Sequence, residues 1–363
     1  MLANRMMGDS MASIPVFDGH NDTVLSLRDT GRSFFERSEV GHIDLPRALE
    51  GGLAGGFFAV WVPNPEVPPI DPQADDPSTT AYGNIESMPT ELPLAFAEHY
   101  ALVSLASLAR VSAQCVGKGG IGRNTTEIRR NLRDGVFSME LHIEGAEPID
   151  PSLSTLEAFY LAGIRSIGLV WSRPNAFAHG VPFQFPGTPD TGPGLTDAGR
   201  RLVAACDELG IVIDMSHLNE AGFWDVAKLS KKPLVCTHSG VHAICPSTRN
   251  LTDKQLDAIR DSTGIVGVNF HAGFVNPDGE NDPTRTTVGS LADHVDYLCN
   301  RMGSDKVALG SDFDGATMPG DIKDAAGLPV LLAELERRGY DASTIRNIAW
   351  DNWLRVLDQI WIA

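Results

Sequence analysis

His20 and Asp22 stand two apart in FDGHND, and four residues of the same chemical kind each close an apolar run. These are Glu144 in HIEGAEP, His217 in IDMSH, His238 in CTHSG and Asp312 in GSDFDG. Imidazole and carboxylate are the donors that zinc and its first-row neighbours take. Alternate residues of an extended segment point the same way, so His20 and Asp22 can reach one ion. The pair alone is also consistent with a loop histidine and an aspartate capping the next helix. Convergence of the whole set says more. Two dications about 3.5–4 Å apart need a bridging anion, and Glu144 can give one oxygen to each; the run IRSIGLVW offers no lysine for that task. On this reading His20 and Asp22 hold one ion, His217 and His238 the other, and Glu144 both. A bridging water, ionised near neutral pH, is the nucleophile. Asp312 is the carboxylate outside the ligand set that takes a proton from the attacking water and passes it to the leaving group.

What could bring these residues together is legible in the apolar runs. They fall at 14 to 19, 55 to 62, 135 to 145, 164 to 171, 210 to 216, 233 to 237, 264 to 270 and 307 to 311. Each reads as a buried parallel strand. Between them lie stretches with helical spacing, such as LTDAGRRLVAACDELG and VGSLADHVDYLCNRMG. Thr196 and Gly210, like Ser154 and Gly163, are start and stop signals for such helices. The alternation predicts an α/β fold, a (β/α)8 TIM-type barrel over residues 1–363 as a single domain. Barrel enzymes build their sites at the C-terminal ends of the strands, where all six residues fall. Residues 63 to 91, rich in Pro and Asp, read as a loop insertion after the second run, either a surface excursion or a substrate lid.

Composition excludes several classes. A formal net charge of -18 and pI near 4.9 argue against nucleic acid and anionic membrane surfaces as partners. The five scattered cysteines include no CxxC pair, which disfavours a disulfide framework or a thiolate zinc site. No apolar run suits a signal peptide or a membrane span, so the expected location is the cytoplasm.

The remaining histidines carry weaker expectations. His42, His99 and His294 read as surface or helix residues, and His142 as a satisfied histidine of the barrel interior. His179 and His271 lie in loops where they could touch substrate. His242 suits hydrogen bonding within its loop, and Asp314 and Gly315 a role in shaping the turn after Asp312.

Taken in order, DGHND, the glutamate of IEGAEPID, IDMSH, THSG followed by PSTRN, and GSDFDG resemble the membrane dipeptidase (renal dipeptidase) family of zinc metallopeptidases. The resemblance runs from residue 18 to 315. It implies two zinc ions per chain, dipeptide hydrolysis with tolerance of a D-residue at the C-terminal position, and a homodimer. It places the metal ligands on His20, Asp22, Glu144, His217 and His238, the acid/base on Asp312, and an anchor for the substrate carboxylate on Arg249 in PSTRN. A guanidinium fork suits that task. One position departs from the family: a substrate-binding histidine is replaced by Trp171, whose indole donates one hydrogen bond and carries no charge. Oxyanion stabilisation then falls more heavily on the metals, or on Arg173 or His179.

A different hydrolase acting on N-acyl amino acids, cyclic amides or lactones is the alternative on the same metal pair, and Arg249 discriminates, since a carboxylate anchor does not suit a neutral ester. A degenerate barrel kept as a binding protein is disfavoured by the intact ligand set.

Overall fold

The structure, a computed structural model, describes residues 14–65, 88–115 and 117–362. Most of the insertion expected at 63 to 91 lies outside the described residues. The strands are β1 (Val16–Asn21), β2 (Leu53–Trp61), β3 (Gly119–Ile121), β4 (Phe137–Glu144), β5 (Ile164–Gly168), β6 (Val212–Asp214), β7 (Val235–Ser239), β8 (Ile265–Val268) and β9 (Val307–Leu309). All pair in parallel, in the order β1-β2-β4-β5-β6-β7-β8-β9. The ends meet through a parallel bridge between Asn21 and Phe313, so the barrel closes. Each of the eight expected runs overlaps one of these strands. The short β3, which pairs with β4 outside that path, was not foreseen; three residues rich in Gly carry no periodicity.

Helices fill the connections as expected. Thr196 caps helix Asp197–Leu209 by accepting the Gly199 amide, and Gly210 ends it with φ 70°. The helix expected to start at Ser154 spans Leu156–Ala162 behind Thr155, and Gly163 ends it.

The N-terminal ends of the strands are sealed by the chain's own C-terminus. Trp350 and Trp353 pack into a buried cluster with Phe17, Phe57, Val212, Val235, Ile265 and Ala308, and the Trp353 indole donates to Leu309 O at 3.0 Å. Catalytic side chains are thereby left only the opposite mouth.

Two irregularities aim side chains at that mouth. In β1 the register runs Asp18↔Gly56 and then Asn21↔Phe58; in β7 it runs Cys236↔Val266 and then Ser239↔Val268. Each strand thus holds one residue more than its neighbour, a β-bulge, at Gly19–His20 and at Thr237–His238. Phe17 and Val235 face the floor cluster. His20 and His238 lie three residues further on, an odd step that regular pleating would turn outward. The bulges turn both imidazoles inward.

The bulged Thr237 also needs room. A Cβ at Gly19, Gly267 or Gly310 would lie 2.5, 2.0 or 1.9 Å from Thr237 O. Gly267→Ala should therefore cost about 1–3 kcal/mol by forcing backbone apart, read as a lower urea midpoint at unchanged slope. An unaltered midpoint would show that the strands can part freely there.

Candidate metal centre

His20 (0 % exposed), Asp22, Glu144, His217 and His238 are all buried and lie together at the C-terminal mouth. Glu144 ends β4 and is the hub. Its Oε2 is 3.7 Å from His20 Nε2, while its Oε1 is 2.8 Å from His217 Nε2 and 3.5 Å from His238 Nε2. Asp22 Oδ2 is 3.5 Å from His20 Nε2. Two donor groups result, His20–Asp22–Glu144 and Glu144–His217–His238, each with its atoms within 4.8 Å of one another. Asp22 precedes helix Thr23–Thr30 but makes no side-chain cap bond, so its carboxylate is left for the cluster.

The donor chemistry fits cations. His20 is fully buried with no hydrogen bond at either ring nitrogen among the described residues. His217 Nε2 and His238 Nε2 face each other at 3.1 Å, both within 3.5 Å of the same Glu144 oxygen. Imidazole nitrogens and carboxylate oxygens crowded this closely away from water are stabilised by positive charge among them. The same imbalance perturbs ionisation. Burial pushes Glu144 well above the usual carboxylate range, raises Asp22, and drives His217 and His238 well below the usual imidazole range. Burial opposes charge on His20 too, but Glu144, Asp22 and Asp312 outweigh it and lift that ring to about 10. The pocket draws in positive charge by whatever route is open.

Asp312 lies three residues beyond β9 at φ 63°, with its carboxylate grouped with His20 and His238 and its Oδ2 accepting Asn269 Nδ2 at 3.0 Å. Gly315 leaves room for the two carboxylates: a Cβ there would lie 2.1 Å from Asp22 Oδ2 and 2.7 Å from Asp312 Oδ1. Asp314 takes Thr23 Oγ1, Arg32 Nη2 and the His42 amide, which ties the turn after Asp312 to the chain beside Asp22.

Arg249 is buried against the same cluster. Its Nη1 donates to Ser216 O, and its Nη2 lies 3.2 Å from His217 Nε2 and 3.3 Å from His238 O. Trp171 is also brought in, its ring 5.9 Å from the His217 ring and 5.1 Å from Trp61. Phe183 lies 6.2 Å from His217 and Phe274 stacks under the Arg249 guanidinium at 5.3 Å, which completes an aromatic wall on that side. Arg173 packs against it, its guanidinium 5.0 Å from the Trp171 ring and 5.5 Å from the Trp61 ring; fully buried, it pairs with Glu147 at 3.2 Å and donates to Val62 O.

The other histidines separate by their partners. His294 is on a helix but fully buried, bonded to the Val241 amide and Val275 O. His42 is half-buried and accepts the Asp314 amide, His99 is exposed on helix Leu94–Gln114, and His242 meets Gly187 O at 2.8 Å. His271 accepts the Thr317 amide at 3.3 Å, and His179 pairs through its backbone with Pro174. His142 lies inside the barrel with Nδ1 on Ser166 Oγ at 2.8 Å and Nε2 3.7 Å from Asp214 Oδ2.

Sequence reasoning passed over the groups beneath the ligands. Asp18 binds the Ser311 amide and hydroxyl at 2.7 and 2.8 Å and so ties β1 to the chain leading to Asp312. Asp214 takes the hydroxyls of Ser216 and Thr237, both at 2.6 Å. Their signal was present: a carboxylate inside an apolar run, in VFDG and IVIDMS, must be paired when the run is buried.

Buried imidazoles and carboxylates at the C-terminal mouth of a closed eight-stranded barrel define a metal-dependent hydrolase. The family model for membrane dipeptidase (Peptidase family M19) matches residues 5–361, and the chain belongs to that family. It is a metallo-dipeptidase. Among solved structures it is similar to the dipeptidase AC of family M19, at 45 % identity and TM-score 0.89 over 97 % of this chain and 100 % of that one. It is also similar to a metallopeptidase from Rhodobacter sphaeroides liganded with a phosphinate mimic of the dipeptide L-Ala-D-Ala, at 46 % identity and TM-score 0.90 over 96 % and 100 %. A curated relative from Klebsiella pneumoniae, an uncharacterized protein in the pqqA 5′ region, is 49 % identical over 257 residues, 71 % of this chain and 94 % of its own. Among the described residues no helix is long and apolar enough to cross a membrane.

Proposed function

We propose that the enzyme hydrolyses dipeptides, L-Xaa-D-Xaa among them, with two zinc ions held by His20, Asp22, Glu144, His217 and His238. The observation that carries this reading is the split of Glu144, with one oxygen toward His20 and the other toward His217 and His238. Bound there, the ions supply Lewis acidity, polarising the scissile carbonyl and acidifying the attacking water. Asp312, outside the ligand set, moves the proton from that water to the leaving amine. Arg249 anchors the substrate carboxylate, and the Trp171 ring shapes the apolar wall beside it. Support for a D-residue comes from the similar Rhodobacter sphaeroides enzyme, whose ligand mimics L-Ala-D-Ala. The five unbonded cysteines suit a reducing cytoplasm, and the family resemblance a homodimer.

A library of dipeptides in L,L and L,D forms, assayed on zinc-loaded enzyme, tests this directly. Turnover of lactones or cyclic amides with no dipeptide cleaved would defeat it. Arg249→Met should raise KM by about 10–100-fold, the value of a charge-assisted bond of ~1.5–3 kcal/mol, with zinc content unaltered. Equal kinetics in variant and parent would remove the anchor role.

A further inference from the structure

We propose that Asp214 is the positioning residue of the metal centre: through the Thr237 hydroxyl it sets which nitrogen of His238 carries the proton and holds that ring toward Glu144. The proposal rests on the two-ion reading above.

It follows from counting protons. Asp214 is 3 % exposed and accepts four hydrogen bonds: the Ser216 amide at 3.1 Å, the Ser216 hydroxyl at 2.6 Å, the Thr237 amide at 2.8 Å and the Thr237 hydroxyl at 2.6 Å. A hydroxyl has one proton, and both hydroxyls spend theirs on this carboxylate. Thr237 Oγ1 also lies 2.9 Å from His238 Nδ1. With its proton already committed, that oxygen can only accept, so the proton of this contact belongs to Nδ1. A neutral imidazole protonated at Nδ1 has its lone pair at Nε2, the nitrogen 3.5 Å from Glu144 Oε1. Asp214, Thr237 and His238 thus form a chain ending in a lone pair aimed at the donor cluster. The Ser216 hydroxyl additionally takes the His238 amide at 3.0 Å, which fixes the backbone of the ligand as well as its ring.

The fold is built around this contact. Thr237 and His238 are the residues displaced by the bulge in β7, and Gly19, Gly267 and Gly310 leave space for the Thr237 carbonyl. The same carboxylate faces the other ion's side. A ring nitrogen of His20, one of His142 and an oxygen of Asp214 lie within 4.8 Å of one another, and His142 Nε2, 3.7 Å from Asp214, has no hydrogen bond among the described residues.

The test compares Thr237→Val, which keeps the shape and loses the hydroxyl, with Thr237→Ser, which keeps the hydroxyl, and with Asp214→Asn. Zinc dissociation constants are measured by competition with a chromophoric chelator on the purified chain, with zinc counted per chain and thermal melting recorded alongside. Thr237→Val should weaken one of the two zinc ions by about 10–100-fold, leave the other near its parental affinity, and be rescued by Thr237→Ser. Asp214→Asn should shift zinc affinity the same way; if that variant fails to fold, the valine and serine pair decides. Parental zinc affinities in Thr237→Val would overturn the proposal, as would a Thr237→Ser variant as weak as Thr237→Val. A parent chain that binds fewer than two zinc ions would instead overturn the two-ion reading, and this proposal with it.

Discussion

Glu144→Gln should abolish most of the activity, lowering kcat/KM by on the order of 10³-fold or more, a loss of about 4 kcal/mol at the transition state. The substitution conserves shape and removes one negative charge. A carboxamide has a single oxygen, so it cannot serve His20's side and the side of His217 and His238 together; its NH2 would face a cation. Zinc content should fall from two ions to one or none. Stability of the metal-stripped protein should move the other way. Burial holds the folded-state pKa of Glu144 well above its usual value, so the unfolded chain ionises first as pH rises. Ionisation therefore opposes folding above the unfolded pKa, and a neutral side chain removes that cost. The expected pattern is an inactive, zinc-poor variant whose metal-free form melts no lower than the metal-free parent. Full zinc content in Glu144→Gln would show that the bridge lies elsewhere.

The barrel was legible because its strands are buried on both faces and therefore spell continuous apolar runs, and because Thr196 and Gly210 mark a helix by local chemistry alone. The six candidate residues were legible as exceptions, four of them closing such a run and His20 and Asp22 following the first. How they reach the centre was not. The inward turn of His20 and His238 depends on one extra residue in β1 and one in β7 relative to their neighbours. Register of this kind is set between strands and leaves no periodic trace in either one. The C-terminal plug formed by Trp350 and Trp353 was missed for a similar reason, since an amphipathic terminal helix looks the same whether it packs outside a barrel or beneath it. Arg173 follows Trp171 in the chain and stays beside its ring in the fold, while its pairing with Glu147, which the sequence did not announce, anchors it from the other side.

Asp312→Asn isolates the proton-transfer role because the position is unusually well suited to that exchange. Asp312 has φ 63°, in the left-handed region where Asp and Asn are both tolerated and most other residues are strained. Its Oδ2 accepts the Asn269 amide, and a carboxamide oxygen can do the same. Backbone and neighbours therefore stay in place while the group loses its ability to take up and release a proton at neutral pH. General acid and base assistance is worth about 10²–10⁴-fold, so kcat should fall by that factor with KM little altered. Zinc content is the discriminating measurement, because the carboxylate lies close enough to His20 and His238 to serve as a ligand instead. An inactive variant that still carries two zinc ions fixes Asp312 as the acid/base. Loss of an ion in Asp312→Asn would make it a ligand and leave the proton transfer to another group.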